Sequence, residues 1–211
     1  CTLILTEGDS AKSLALAGID VVGRENYGVF PLRGKVLNVR DGSKSKMYTN
    51  EELKNICKIM GLKYKEKYDA GTRALRYGHL MIMADQDFDG SHIKGLIVSF
   101  IHDNWPELTR VPGFLTEFIT PIVKAKRMGE EIAFYTVPQY EAWKARTPPR
   151  QLRGWTIKYY KGLGSSTKAE GKEYFKALER HKIDFAYSGA QDDEAIDLAF
   201  SKKRADERKA W

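Results

Sequence analysis

The apolar residues of this chain fall into short runs and stripes, separated by polar, glycine-containing stretches. Leu3-Ile4-Leu5 is the first run, and Thr6-Glu7-Gly8-Asp9-Ser10 ends it. Leu14, Leu16, Ala17 and Ile19 then recur on a helical pattern, with Asp9 or Ser10 as the expected N-cap. Strand, tight turn and helix are predicted in that order. Tyr27 to Leu32 reads as a second short strand, and residues 33–50 as a long basic and polar loop. Thr49 opens a helix to about Met60, and residues 61–77 read as irregular. Leu80-Met81-Ile82-Met83-Ala84 has the pattern of a strand buried on both faces. It stops at Asp85-Gln86-Asp87-Phe88-Asp89-Gly90. The following helix carries Ile93, Leu96, Ile97, Phe100 and Ile101 as one stripe, with Asp89 a candidate N-cap. Strands are predicted from Phe118 to Lys126 and from Glu131 to Val137, around a Met128-Gly129 turn. After Pro138 the texture changes. Pro148-Pro149 marks a turn or linker, Trp155 to Tyr160 a strand, about Thr167 to His181 a helix, and Asp192 to Lys209 one or two charged helices. Alternating strands and helices predict an α/β fold, its sheet largely parallel in the first part.

Two acidic groups fall just past the carboxyl ends of two predicted buried strands. One is Glu7; the other is Asp85, Asp87 and Asp89. In open α/β sheets ligands bind there, because the loops converge. Alternate acids in an extended turn can point the same way, and crowded carboxylates repel unless a cation neutralises them. Oxygen ligands without His or Cys suit Mg²⁺. One carboxylate shared by two ions about 4 Å apart would make a two-metal phosphoryl-transfer site. Other readings compete. Asp-x-Asp-x-Asp-Gly opens an EF-hand loop, but its twelfth position here is Leu96 rather than Glu, and a strand precedes it. An aspartate ending a buried strand also suits a phosphoryl acceptor. The plainest alternative is a solvated acidic turn that caps the next helix.

Composition adds bounds. The 211 residues are 42% hydrophobic and 30% charged, ordinary for a globular chain, and the net charge of +7 suits a polyanionic partner. Cys1 and Cys57 form no C-x-x-C pair, so neither a disulfide framework nor a zinc site is indicated. No apolar run approaches membrane-spanning length. There is no G-x-x-x-x-G-K-[ST], and Thr167 stands where Gly162-Leu163-Gly164 would need its last glycine for G-x-G-x-x-G. Residues 33–46 carry Arg33, Lys35, Arg40, Lys44 and Lys46 against one acid, Asp41. Beside a metal cluster such a loop can hold phosphates; a solvated surface loop is the alternative. The run from Lys202-Lys203-Arg204 to Arg208-Lys209, mixed with Asp206 and Glu207, is either a salt-bridged helix face or a DNA contact. The chain opens at Cys1 inside an apolar run, as a trimmed piece of a longer protein would.

Four stretches are familiar in this order: Glu7-Gly8-Asp9-Ser10-Ala11, Pro31 to Asn38 (PLRGKVLN), Asp85 to Ile93 (DQDFDGSHI) and Tyr160-Lys161-Gly162-Leu163-Gly164. Together they resemble the TOPRIM region of type IIA DNA topoisomerases, in wording closer to the eukaryotic enzymes than to gyrase. The resemblance implies a TOPRIM fold: a central, mainly parallel sheet flanked by helices, with a small α+β C-terminal extension. Residues 1–137 would be the metal-binding domain, with a loop insertion over about 33–78, and 138–211 the extension. It implies that Glu7, Asp85 and Asp87 bind Mg²⁺ (Mn²⁺ or Ca²⁺ substituting), with Asp89 nearby. Arg33, Lys35 and Asn38 would lie against double-stranded DNA near the cut, and Lys202 and Lys203 along its backbone. Topoisomerase poisons would lie near Asp9 and Arg33. Phe88 departs from the polar residue usual in relatives and is expected to point away from the ligands. The implied reaction is reversible, tyrosine-mediated DNA cleavage and religation in ATP-dependent strand passage, by a nuclear homodimer. The attacking tyrosine and the ATP-hydrolysing domain are expected outside this chain, leaving it inactive alone. A non-catalytic DNA-binding module with a structural acidic site, and another TOPRIM enzyme such as a primase or nuclease, are the rival functions.

Overall fold

A computed structural model describes residues 1–40 and 42–211; Asp41, the single acid of the basic loop, lies outside the described residues. β1 (Thr2–Glu7) runs into α1 (Gly8–Val22) through Gly8, whose φ of +75° is a left-handed conformation natural to glycine. Glu7 occupies the cap position without a side-chain bond, so the expected cap at Asp9 or Ser10 is not formed; Asp9 lies in the first helical turn. β2 (Tyr27–Leu32) follows. The predicted loop over 33–50 contains a helix, α2 (Lys44–Thr49), which Ser43 caps and Met47 anchors. Asn50, not Thr49, caps α3 (Glu51–Met60) by accepting the Leu53 N–H.

Next come β3 (His79–Met83), α4 (Phe88–Asn104), α5 (Pro106–Thr109) and β4 (Leu115–Phe118). The strand predicted from Phe118 to Lys126 is two strands in two sheets: β4 ends at Phe118, and β5 (Val123–Arg127) begins beyond Pro121, which has no N–H for a ladder. β6 (Glu130–Phe134) completes the hairpin. Val137, predicted to end that strand, instead opens α6 (Val137–Arg146), capped by Thr136. Then follow α7 (Pro149–Leu152), β7 (Thr156–Tyr159), α8 (Lys168–Lys176), α9 (Leu178–His181), β8 (Lys182–Asp184), α10 (Ala190–Phe200) and α11 (Ala205–Ala210).

The main sheet has the order β2-β1-β3-β4-β8, parallel except for β8 against β4. A small antiparallel sheet has the order β6-β5-β7. The continuous apolar runs of β1 and β3 serve two cores at once. Leu3, Leu5, Leu80 and Ile82 enter one core with α3 and α4, while Ile4, Met81 and Met83 enter another with α1 and α8. Period-two side chains on a strand covered by helices on both faces require this composition. From β1 the chain crosses to β2 on one side, and from β3 to β4 on the other. The carboxyl ends of β1 and β3 therefore flank the switch point of the sheet, where loops diverge and leave a crevice.

Candidate metal centre

Glu7 ends β1 and Asp85 follows β3, so the register of two adjacent parallel strands brings them together. Glu7 Oε2 accepts the Asp85 N–H at 3.0 Å across 78 positions of sequence. The Asp85 carbonyl is tightly packed as well: a Cβ at Gly90 would stand 2.0 Å from it, so only glycine lets the first turn of α4 pass. The Asp85 carboxylate turns to the segment after β7, where the Leu163 N–H donates to Oδ1 at 2.8 Å. Asp87 caps α4 through Oδ1, which accepts the Gly90 N–H at 2.8 Å. Asp89 lies in the first turn of α4 and pairs with Lys35 at 2.7 Å. One expectation is corrected here. The cap is Asp87 rather than Asp89, because the helix begins at Phe88 and takes Asp89 into its first turn. Phe88 itself is 96% exposed.

The four acids nevertheless share one electrostatic neighbourhood. The Glu7 carboxyl is raised above the ordinary range, by burial first; the Asp85 N–H opposes this, and the charges of Asp85, Asp87 and Asp89 add to it. Hydrogen bonding and charge from Lys35 hold the Asp89 carboxyl below its ordinary range. Among the described residues no three His, Cys, Asp or Glu side chains converge tightly enough to hold a metal ion as they stand. The chemistry of the donor set does fit one: the groups are all-oxygen, acidic and mutually repelling at Glu7, and a hard divalent cation relieves that repulsion.

The basic residues divide into two groups. Arg33 is exposed and lines a hollow of about 450 Å³ with Glu7, Asp9 and Lys12. Lys44, Lys202 and Lys203 are exposed along a groove of about 750 Å³. Arg40 is different. It bonds Ser99 at 3.2 Å, Asp197 at 2.9 Å and His102 at 2.8 Å, and ties α10 to α4. Asn38 reaches the Phe200 carbonyl at 2.9 Å and accepts the Arg40 N–H at 3.1 Å. Of the C-terminal cations, Arg204 pairs with Glu194, Asp197 and Glu207, and Lys209 with Asp206, which is the salt-bridged face. Gly162 and Leu163 were assigned no site role on sequence grounds, since their G-x-G lacked a third glycine. Their partner is a carboxylate rather than a phosphate.

Residues 2–119 match the family model of the Toprim domain. This chain belongs to the Toprim domain family. Residues 118–211 match the C-terminal associated domain of TOPRIM. Over the whole chain it is 60% identical to DNA topoisomerase 2-alpha of Mus musculus and 61% identical to DNA topoisomerase 2 of Bombyx mori, covering 14% of each. The Toprim chain thus spans about one seventh of these curated relatives, 14% of their length. The crystal structure of the Plasmodium falciparum topoisomerase II DNA-binding, cleavage and re-ligation domain superposes with a TM-score of 0.94 at 55% identity, over 100% of this chain and 28% of that one.

Proposed function

We propose that this Toprim chain is the metal-ion half of the DNA-cleaving site of a topoisomerase II. The observation that carries the reading is the meeting of Glu7 and Asp85 at the switch point of the sheet, with Asp87 and Asp89 close enough to raise Glu7. Glu7, Asp85 and Asp87 would hold Mg²⁺, with Asp89 beside them. A divalent cation bound there supplies charge stabilisation to a phosphate and its leaving oxygen. The chain's own residues bind and orient. Arg33 and Lys35 present positive charge on the same side as the acids, and Lys202 and Lys203 extend it along the second groove. Asn38, whose side-chain amide donates to the Phe200 carbonyl, would lie against DNA beside them. The hollow shared by Asp9 and Arg33 is our candidate for a poison contact. Attack by a tyrosine outside this chain, dependence on ATP, a homodimer and a nuclear location belong to the same proposal. The eukaryotic topoisomerase 2 relatives support it.

Titration calorimetry with Mg²⁺ or Mn²⁺ tests the site. Asp85→Ala and Glu7→Ala are each expected to weaken binding, and Asp85→Ala to abolish DNA cleavage by the full-length protein. Intact cleavage in Asp85→Ala would favour the alternative, a DNA-binding module whose acids are structural.

A further inference from the structure

Asp85 is fixed on three sides. Glu7 holds its N–H, Gly90 is packed against its carbonyl, and its carboxylate lies against Gly162 and Leu163. Gly162 has φ −175° and ψ −176°, extended backbone open to any residue, so conformational freedom does not explain a glycine there. Space does. A Cβ at Gly162 would stand 2.2 Å from Asp85 Oδ2 and 2.6 Å from Cγ. The neighbouring amide is anchored. Leu163 is 1% exposed and packs in the core with Ile4, Met83 and Phe175. Upstream, the Tyr160 N–H donates to the Ile122 carbonyl at 2.9 Å, and its hydroxyl bonds Glu170. Downstream, the Ser165 and Ser166 N–H groups close turns onto Gly162 and Leu163.

We propose that the Tyr160–Gly164 segment is a positioning element for the Asp85 carboxylate, with the Leu163 N–H holding one oxygen and the bare backbone at Gly162 leaving room for the other. The main chain of Asp85 is already held by Glu7 and Gly90, so the side-chain torsions are the remaining freedom, and this segment selects among them. Groups that orient a metal ligand in this way typically change affinity by about 10- to 100-fold when disturbed. The inference rests on the reading of Asp85 as a metal ligand.

The test measures Mn²⁺ binding to the full-length protein by calorimetry, in wild type, Gly162→Ala, Gly164→Ala and Asp85→Ala. Gly162→Ala is expected to weaken binding by about 10-fold or more. Gly164→Ala should bind as wild type, because its Cβ would meet only Ser10, at 3.4 Å. If Asp85→Ala weakens binding and Gly162→Ala does not, the positioning role is overturned and the ligand reading stands. If Asp85→Ala binds like wild type, both are overturned. Thermal unfolding supplies an arm that needs no metal. Asp85→Ala removes the atoms that the new Cβ would meet, so the Gly162→Ala/Asp85→Ala double variant should recover most of the Tm lost by Gly162→Ala. A double variant no more stable than Gly162→Ala, or one that fails to fold, overturns the proposal.

Discussion

Replacing Glu170 by Gln removes the centre of a charge cluster that links α8 to the small sheet. Glu170 accepts the Thr167 N–H at 2.9 Å and the Tyr160 hydroxyl, and it pairs with Lys124 at 3.2 Å and Lys158 at 3.4 Å. Its side chain is 13% exposed and that of Lys124 is 3% exposed, so water screens the inner pair weakly. Burial pushes the Glu170 carboxyl up, but the Thr167 N–H, the Tyr160 hydroxyl and Lys124 more than reverse this and hold it at about 2 against an ordinary 4.5. At about 1.4 kcal/mol per tenfold in proton affinity, that difference corresponds to about 3 kcal/mol of stabilisation. A carboxyl with a depressed folded-state value stabilises fully above its unfolded value, here 4.5, and loses that contribution as pH falls through about 2. Glu170→Gln should therefore cost about 3 kcal/mol near neutral pH, or about 6–12 °C in Tm for a chain of this size. The gap between variant and wild type should close on acidification. Urea denaturation of both proteins across the acid range measures it. A loss below about 1 kcal/mol, or one that does not change between about pH 5 and pH 2, would refute the reasoning.

Other substitutions probe the site and its supports. Glu7→Gln keeps an acceptor for the Asp85 N–H but removes a carboxylate whose charged form the folded state disfavours. Because its folded-state pKa is raised, the charge costs stability as pH rises through that value; the variant should melt higher than wild type without divalent cation, and Mg²⁺ should reverse the order. Arg40→Ala breaks the bonds to Ser99, Asp197 and His102, and should cost about 2 kcal/mol and speed proteolysis around α10, read by denaturation and limited trypsinolysis. Lys35→Ala should leave Tm unchanged, since its pair with Asp89 is exposed; under the proposed function it should also lower the salt dependence of DNA binding by about one phosphate contact in a fluorescence titration.

The sequence was readable where a residue's role depends on its near neighbours. The runs Leu3–Leu5 and Leu80–Met83 announce strands because burial on both faces leaves no polar positions. The acids at their ends followed from that placement. Side-chain direction was not readable: whether Asp87 or Asp89 caps α4 depends on where the helix begins, a matter of one turn. α2 escaped because Met47 is its single buried residue, too few for a periodic signal. Arg40 looked like its neighbours in the basic loop, and only the distant Ser99, His102 and Asp197 distinguish it. Gly162 stood out only as part of the Tyr160–Gly164 stretch, and its contact with Asp85 was hidden for a related reason, since the atom that demands its lack of a side chain belongs to a residue 77 positions away (162 against 85).

The match to the Toprim domain ends at residue 119, but the main sheet does not. β8, from the C-terminal associated region, pairs antiparallel with β4: Thr116 with Asp184, Glu117 with Ile183 and Phe118 with Lys182. A protein cut between the two matched regions would expose β4 as an open rim with unpaired amides and carbonyls, a template for joining another molecule's strand. α1 would also be stripped of α8, whose Phe175 lies so near Gly18 that a Cβ there would stand 2.1 Å from its ring. The two family regions of this chain are therefore expected to melt together, in one transition.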